Sequence, residues 1–299
     1  MQYLEGDCLQ LSDGSLWVVK GSYHPPRRII ALPRLVNGRK LKRVDEALTV
    51  VHRYYRHFMT YVDFIGRAVP AVPEALTKKH LRVLSTPCPK GLGKISELCS
   101  DLLSTLSTVC GLKCGVAGSL LYGAVTEHSD IDIVCIDNSG AYECLNNLRK
   151  NYVLKPFSYS DFLIEYTNVS EGLSFNDHLR LSTNRITQGV FKSRRYTLRL
   201  IDPLRERALQ VPCLLSYRAA RVITKIKSTD YRTPSIYTVE LIRPQIIAEK
   251  VLMVTFRVRY TEIPKESLVS INNAFITLRQ DGSAVISLDV PDTCVKILT

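Results

Sequence analysis

The spacing of apolar positions changes several times along the chain, and each change predicts a different kind of element. Over residues 1–44 short alternating runs are separated by turn residues. Asp13-Gly14 lies between Cys8–Leu11 and Leu16–Lys20, His24-Pro25-Pro26 precedes Arg28–Leu35, and Asn37-Gly38 precedes Lys40–Val44. Period-two runs around Asp-Gly and Asn-Gly predict hairpins. A hairpin cap of this size has too little core to stand alone and is expected to pack on the rest. Between 45 and 66 the spacing of Leu48, Val51, Tyr54, Tyr55, Phe58, Val62 and Ile65 becomes helical. Residues 67–92 carry Pro70, Pro73, Pro87 and Pro89. They read as a connector with a short helical segment near Glu74–His80.

Ile95, Leu98, Leu102, Leu106 and Val109 line one side of a helix over 94–110, which Gly111 ends. The stretch from Cys114 to Cys135 reads as strand, Gly118-Ser119 turn, short helix and strand. Helices are expected over Gly140–Asn151, Ser158–Glu165 and Phe175–Ile186. A hairpin pairs Gly189–Lys192 with Arg195–Ile201, its turn at Ser193-Arg194, and Asp202-Pro203 ends it. From Leu204 onward Arg218–Ile226, Ile236–Ile242, Lys250–Tyr260, Phe275–Leu278 and Ala284–Val290 read as strands of a separate barrel or sandwich. The fold class is α+β. The expected divisions are an N-terminal β cap (1–44), a helix and linker (45–92), a mixed core (93–203) and an all-β C-terminal domain (204–299).

Composition narrows the surroundings of this fold. At 45% hydrophobic and 23% charged residues, the chain is not of a disordered type. No apolar run reaches the roughly eighteen residues of a membrane span, and the first residues lack a signal peptide's basic start and apolar middle. No membrane partner and a cytoplasmic location are expected. The net charge of +12 suits a polyanionic partner, a nucleotide, RNA or DNA. Nine cysteines show no paired zinc-ligand spacing and read mostly as buried thiols, with disulfides the alternative in a hyperthermophile.

The chemistry concentrates in one stretch. Asp130-Ile131-Asp132-Ile133 follows Gly118-Ser119 by ten residues. On a strand Asp130 and Asp132 share a face. Two neighbouring carboxylates repel unless a cation or solvent sits between them. The turn offers backbone N–H groups suited to an anion. Lys192, Arg194, Arg195 and Arg199 on the hairpin are placed to contact phosphates. Arg218, Arg221, Lys225 and Lys227 among Tyr217, Tyr231 and Tyr237 form a second basic and aromatic set, of the kind that suits single-stranded nucleic acid.

The Gly-Ser turn, the ten-residue gap and the Asp-Ile-Asp-Ile strand resemble the signature of the DNA polymerase beta-type nucleotidyltransferase superfamily, over about Gly93 to Asp202. The flanking β segments are similar, more loosely, to uncharacterised archaeal nucleotidyltransferase-like proteins. The resemblance implies a mixed sheet with helices on one face and the site on the other. It implies that Asp130 and Asp132 hold two Mg²⁺ ions, that Gly118 and Ser119 hold phosphates of a nucleoside triphosphate, and that pyrophosphate leaves the α-phosphorus. Arg199 joins the expected nucleotide-binding residues. The family's third carboxylate is the point of departure. Its position falls on Thr197, and Asp202, Glu165 and Glu171 are further candidate acids, the two glutamates with no positional argument behind them.

Overall fold

The computed structural model describes residues 2–169, 173–246 and 248–298. The first elements are strands β1 (Cys8–Leu11), β2 (Leu16–Val19), β3 (Arg28–Val36) and β4 (Arg39–Lys40), then helix α1 (Val44–Tyr54). Strands β5 (Met59–Val62), β6 (Arg67–Pro73) and β7 (Thr77–Leu81) follow, then α2 (Lys94–Cys110), β8 (Cys114–Val116), α3 (Gly118–Tyr122) and β9 (Ile131–Ile136). Next come α4 (Ala141–Lys150), β10 (Leu154–Lys155), α5 (Tyr159–Val169), α6 (Phe175–Ser182), β11 (Gln188–Phe191) and β12 (Arg194–Ile201). Helix α7 (Pro203–Glu206) leads into β13 (Cys213–Ile226), β14 (Ser235–Arg243), β15 (Lys250–Thr255), β16 (Leu268–Arg279), β17 (Ser283–Ser287) and β18 (Cys294–Ile297). The chain mixes helix and sheet, and it divides into two compact units. One is Met1–Leu41, Val72–Asp161 and Thr183–Pro203, and the other is Lys42–Ala71, Phe162–Ser182 and Leu204–Thr299.

The first unit holds two sheets. In the N-terminal one, β7, β1, β2 and β3 lie side by side and antiparallel, with β4 on β3. The Asp13-Gly14 turn forms as its residues dictate: Asp13 Oδ1 accepts from Ser15 N (2.9 Å) and Ser15 Oγ (2.6 Å), and Gly14 takes a positive φ. The second sheet has the order β10-β11-β12-β9-β8. Its central β12–β9 pair is parallel and the others antiparallel. Helix α2 buries Leu98, Leu102 and Leu106, and Gly111 at φ +63 ends it.

Strand parity sorts the second sheet's faces. Ile131, Ile133, Tyr196, Leu198 and Leu200 are almost wholly buried, on the side where α2 contacts β8 and β9. The other parity carries Asp132 and Val134 on β9 and Thr197, Arg199 and Ile201 on β12. That second face is partly covered. Val134 and Ile201 share an apolar cluster with Cys8, Leu16 and Val83, and Leu35 and Leu81 pack against it, so the N-terminal sheet covers part of this face. Gly6 makes the close approach possible. A Cβ there would lie 2.9 Å from Val134 Cγ2 and 3.4 Å from Val83 Cγ1, and Gly6 has φ +91, a region closed to most side chains.

In the second unit β13, β14, β15, β17 and β16 pair in sequence, and β13 also pairs with β16, which closes a five-stranded barrel. Strand β18 extends from β16. Closure removes sheet edges that would otherwise pair with other chains. Tyr237, Met253, Ile271, Ile276 and Ile286 fill its interior.

Several local expectations are corrected. The helix begun near residue 45 stops at Tyr54, and Met59–Val62 with Arg67–Pro73 forms a β-hairpin instead. The expected helical segment near Glu74–His80 is a single 3₁₀ turn leading into β7. The helix from Phe175 ends at Ser182, and the β11–β12 turn is at Lys192-Ser193, with Lys192 at φ 54. Most cysteines are not free thiols. Cys88–Cys99, Cys110–Cys144 and Cys114–Cys135 are disulfides, leaving Cys8, Cys213 and Cys294. Among the described residues no helix is long and apolar enough to cross a membrane.

Candidate functional site

The residues singled out in the sequence meet at the N-terminal end of the parallel β9–β12 pair. After β8 the chain turns at Ala117, whose N–H donates to Asp132 O (2.9 Å), and enters α3. Gly118 has φ +59, and a Cβ on it would lie 2.1 Å from Asp132 Oδ2 and 2.8 Å from Cγ. The Asp132 carboxylate therefore rests on the bare backbone of the Gly-Ser turn, a place only glycine leaves free. Ser119 is buried one residue further on. The residue capping α3 is Ala117, with no side-chain hydrogen bond, so Ser119 is not the helix cap.

Asp130 sits just before β9 and Asp132 within it. The parallel register sets Thr197 beside Asp132. Arg195, Thr197 and Arg199 alternate down the same face of β12. Arg195 donates from Nε to Asp130 Oδ1 at 2.9 Å and brings its NH2 within 2.9 Å of the same oxygen. Arg199 NH1 lies 3.9 Å from Asp132 Oδ1, too far for a hydrogen bond. The two carboxylates thus differ: Asp130 is committed to a guanidinium, while Asp132 is held only by a longer-range attraction.

Thr197 occupies the place of the third acid, and its Oγ1 accepts from Gln188 Nε2 (3.3 Å), whose Oε1 accepts from Arg185 (2.6 Å). A threonine hydroxyl, hydrogen-bonded through Gln188 to the Arg185 guanidinium, stands where the resemblance implies a carboxylate. Asp202 follows the last residue of β12, five residues beyond Thr197. At about 3.3 Å per residue it is roughly 16 Å along the strand from the site. Glu165 belongs to the second unit, and Glu171 lies outside the described residues.

The site has further members that sequence spacing did not reveal. Glu5, whose side chain is 1% exposed, lies with Oε1 at 3.9 Å from Arg199 Nε and 2.9 Å from Lys20 Nζ. Its Oε2 accepts from Gly21 N (2.7 Å). Burial lowers the Lys20 pKa, Glu5 opposes this, and the charges of Arg199 and Arg34 lower it further. Burial pushes the Tyr122 phenol up to about 12, with Arg34 lowering it and Asp132 raising it. A signal did exist in the sequence: Glu5-Gly6 and Lys20-Gly21 put charges beside glycines at the ends of otherwise apolar strands.

The donor set bears on the two implied metals. Mg²⁺ is commonly held through one or two carboxylates plus substrate phosphate oxygens and water. Asp132, whose side chain has no hydrogen-bond partner among the described residues, fits one such ion. Asp130 would have to share its carboxylate between a second ion and Arg195. Among the described residues no group of three or more His, Cys, Asp or Glu side chains gathers at one point, in keeping with Thr197 in the third position.

The other basic residues are largely engaged. Lys192 pairs with Asp101 and Arg194 donates to Glu127 O. In the second unit Lys225 pairs with Glu266, Lys227 with Glu240, and Arg221 donates to Ser270. Tyr237 is fully buried, so it adds nothing to an exposed stacking surface. Comparison of this chain with protein-family models, curated proteins and solved structures finds no significant match.

Proposed function

We propose that the chain binds a nucleoside triphosphate at the Gly118–Asp132 turn and transfers its nucleoside monophosphate to a hydroxyl acceptor, releasing pyrophosphate. The observation that carries this reading is the Asp132 carboxylate resting on the Gly118 backbone, beside the arginines of β12. Mg²⁺ bound by Asp132 would offset the negative charge that phosphates and carboxylate bring together. Gly118 lets the phosphate chain approach the backbone of the turn, where Ser119 offers a hydroxyl. Arg199 supplies planar donors for phosphate oxygens. Arg195 holds Asp130 in place by hydrogen bond and charge. In the transfer the acceptor oxygen bonds to the α-phosphorus, the bond to the bridging oxygen of the β-phosphate breaks, and the acceptor proton passes to solvent. Thr197 is too weak a base to take that proton.

The test is pyrophosphate release from a mixture of NTPs and Mg²⁺, with RNA, DNA and protein acceptors offered in turn. Wild type is expected to release pyrophosphate and Asp132→Asn to lose the activity. Equal release by the two proteins overturns the reading. A second reading, nucleotide binding without transfer, is favoured by the Thr197–Gln188 pair and by Arg195 on Asp130. It is the outcome if NTP binds Asp132-dependently while no acceptor yields pyrophosphate.

A further inference from the structure

Cys213 and Arg279 stand opposite each other on the antiparallel β13–β16 pair of the barrel. Directly opposed residues share a face, with Cβ atoms about 4.5–5.5 Å apart. On the same face Ser216 Oγ lies 3.2 Å from Cys213 Sγ and donates to Thr277 Oγ1 (3.2 Å), which donates to Ile65 O (3.4 Å). Each hydroxyl has one proton to give, so the thiol donates to Ser216. Once the sulfur has lost its proton, Ser216 can turn and donate to it. The tip of the β5–β6 hairpin brings Gly66 against this group. A Cβ there would lie 3.1 Å from Cys213 Sγ, so glycine leaves that side of the sulfur without a covering side chain. Cys213 itself is half-buried, and Leu214 and Leu215 beside it are exposed.

Arg279 carries the feature that points to a ligand. It is 4% exposed, and its Nε is buried with no hydrogen-bond partner. Burial lowers its pKa, and the charges of Asp281 and Cys213 oppose this. Asp281 Oδ1 is already taken by Ser283 N (3.0 Å) and Ser283 Oγ (2.6 Å). A buried guanidinium donor without an acceptor, beside a thiol, is prepared for an anionic oxygen. The other two free cysteines differ. Burial pushes the Cys8 thiol up to about 12. Cys294, half-buried like Cys213, stands opposite Asn272.

We propose that Cys213 is a peroxide-reactive thiol, oxidised to a sulfenic acid by a hydroperoxide whose leaving oxygen is received by the Arg279 guanidinium. The thiol first gives its proton to solvent. The thiolate then attacks one peroxide oxygen, so that an S–O bond forms and the O–O bond breaks. Sulfur is oxidised by two electrons and the peroxide is reduced. The departing oxyanion takes a proton from water and leaves as water or an alcohol. Arg279 stabilises the charge that develops on it, and Ser216 donates to the attacking sulfur.

The test treats the full chain, disulfides intact, with hydrogen peroxide and dimedone, and follows sulfenic-acid labelling of each free cysteine by peptide mass spectrometry. Each rate is divided by the rate of iodoacetamide alkylation at the same residue, which removes differences in access and in thiolate fraction. The normalised rate at Cys213 is expected to exceed that at Cys294 about tenfold, the worth of one hydrogen bond to a charged group. Arg279→Gln is expected to bring Cys213 down to the Cys294 value. Equal normalised rates at the two cysteines of the wild type, or an unchanged Cys213 rate in folded Arg279→Gln, overturns the proposal. The wild-type comparison needs no substitution, so it decides the matter even where Arg279→Gln does not fold.

Discussion

Replacing Gly118 by alanine separates backbone strain from the closeness of Asp132, because Gly123 at the other end of α3 serves as a matched control. Both have positive φ, +59 and +77. A left-handed backbone costs an L-residue roughly 1–2 kcal/mol. Nothing lies within 4 Å of a Cβ added at Gly123, so Gly123→Ala is expected to cost only that. At Gly118 the added Cβ meets Asp132 Oδ2 at 2.1 Å, Cγ at 2.8 Å and Cβ at 3.0 Å. Rotating the carboxylate relieves the first two contacts but not the third, so turn and strand must move apart. Overpacking of this kind adds about 1–3 kcal/mol, for a total of about 2–5 kcal/mol by the two principles together. A carboxylate displaced by about 1 Å is also expected to lower pyrophosphate release roughly a hundredfold. Urea denaturation of wild type and both variants reads the first effect, and NTP turnover the second. Equal midpoints for the two variants, or wild-type release by Gly118→Ala, would refute the reasoning.

Two further outcomes follow from other residues. Burial holds the His24 pKa at about 4, below its ordinary 6.5, despite the favourable charges of Glu5, Asp7 and Glu74, and its Nδ1 accepts from Ile30 N (3.2 Å). The folded protein keeps His24 neutral while the unfolded chain takes the proton, so stability present above pH 6.5 is lost as pH falls towards 4. At pH 5 the loss is about 2 kcal/mol, and His24→Asn, whose carbonyl can still accept, should lack this component; parallel denaturation profiles for the two proteins between pH 7 and 4 would count against it. The Cys110–Cys144 disulfide closes a span of 34 residues, and loop entropy gives it about 4 kcal/mol. Cys110→Ser/Cys144→Ser should lower the urea midpoint of the first unit accordingly, and a midpoint unchanged from the oxidised wild type would contradict the pairing.

What could be read from the sequence was what short-range chemistry dictates. Asp13-Gly14 and Asn37-Gly38 marked the N-terminal hairpins because their side chains and backbone suit tight turns. The Gly118 and Asp132 pairing was legible because a fixed spacing carries it. The helix from Val44 was legible at its start but not at its end. Phe58, Val62 and Ile65 continue a helical spacing, yet Gly66 at φ +73 turns the chain into a hairpin. That glycine is demanded by close packing on Ser216 and Thr277, which no local pattern records. Pro70 and Pro73 suggested a linker, although β6 accommodates both. The nearness of Glu5 and Lys20 to Arg199 depends on a strand laid across a distant sheet, and the cysteine pairing depends on which helices and strands come together.

Cys114 and Cys135 face each other across β8 and β9, and their bond spans 21 residues that include both Gly118 and Asp132. Turn and carboxylate are thus members of one covalent macrocycle. Breathing of the surrounding sheet, of the kind hydrogen exchange detects, can proceed without those two residues drifting apart. A ligand arriving at a partly frayed molecule would find them still close together, and re-forming the site would require a search confined to the ring. In the reduced protein that confinement disappears, and the same encounter would have to await the whole sheet.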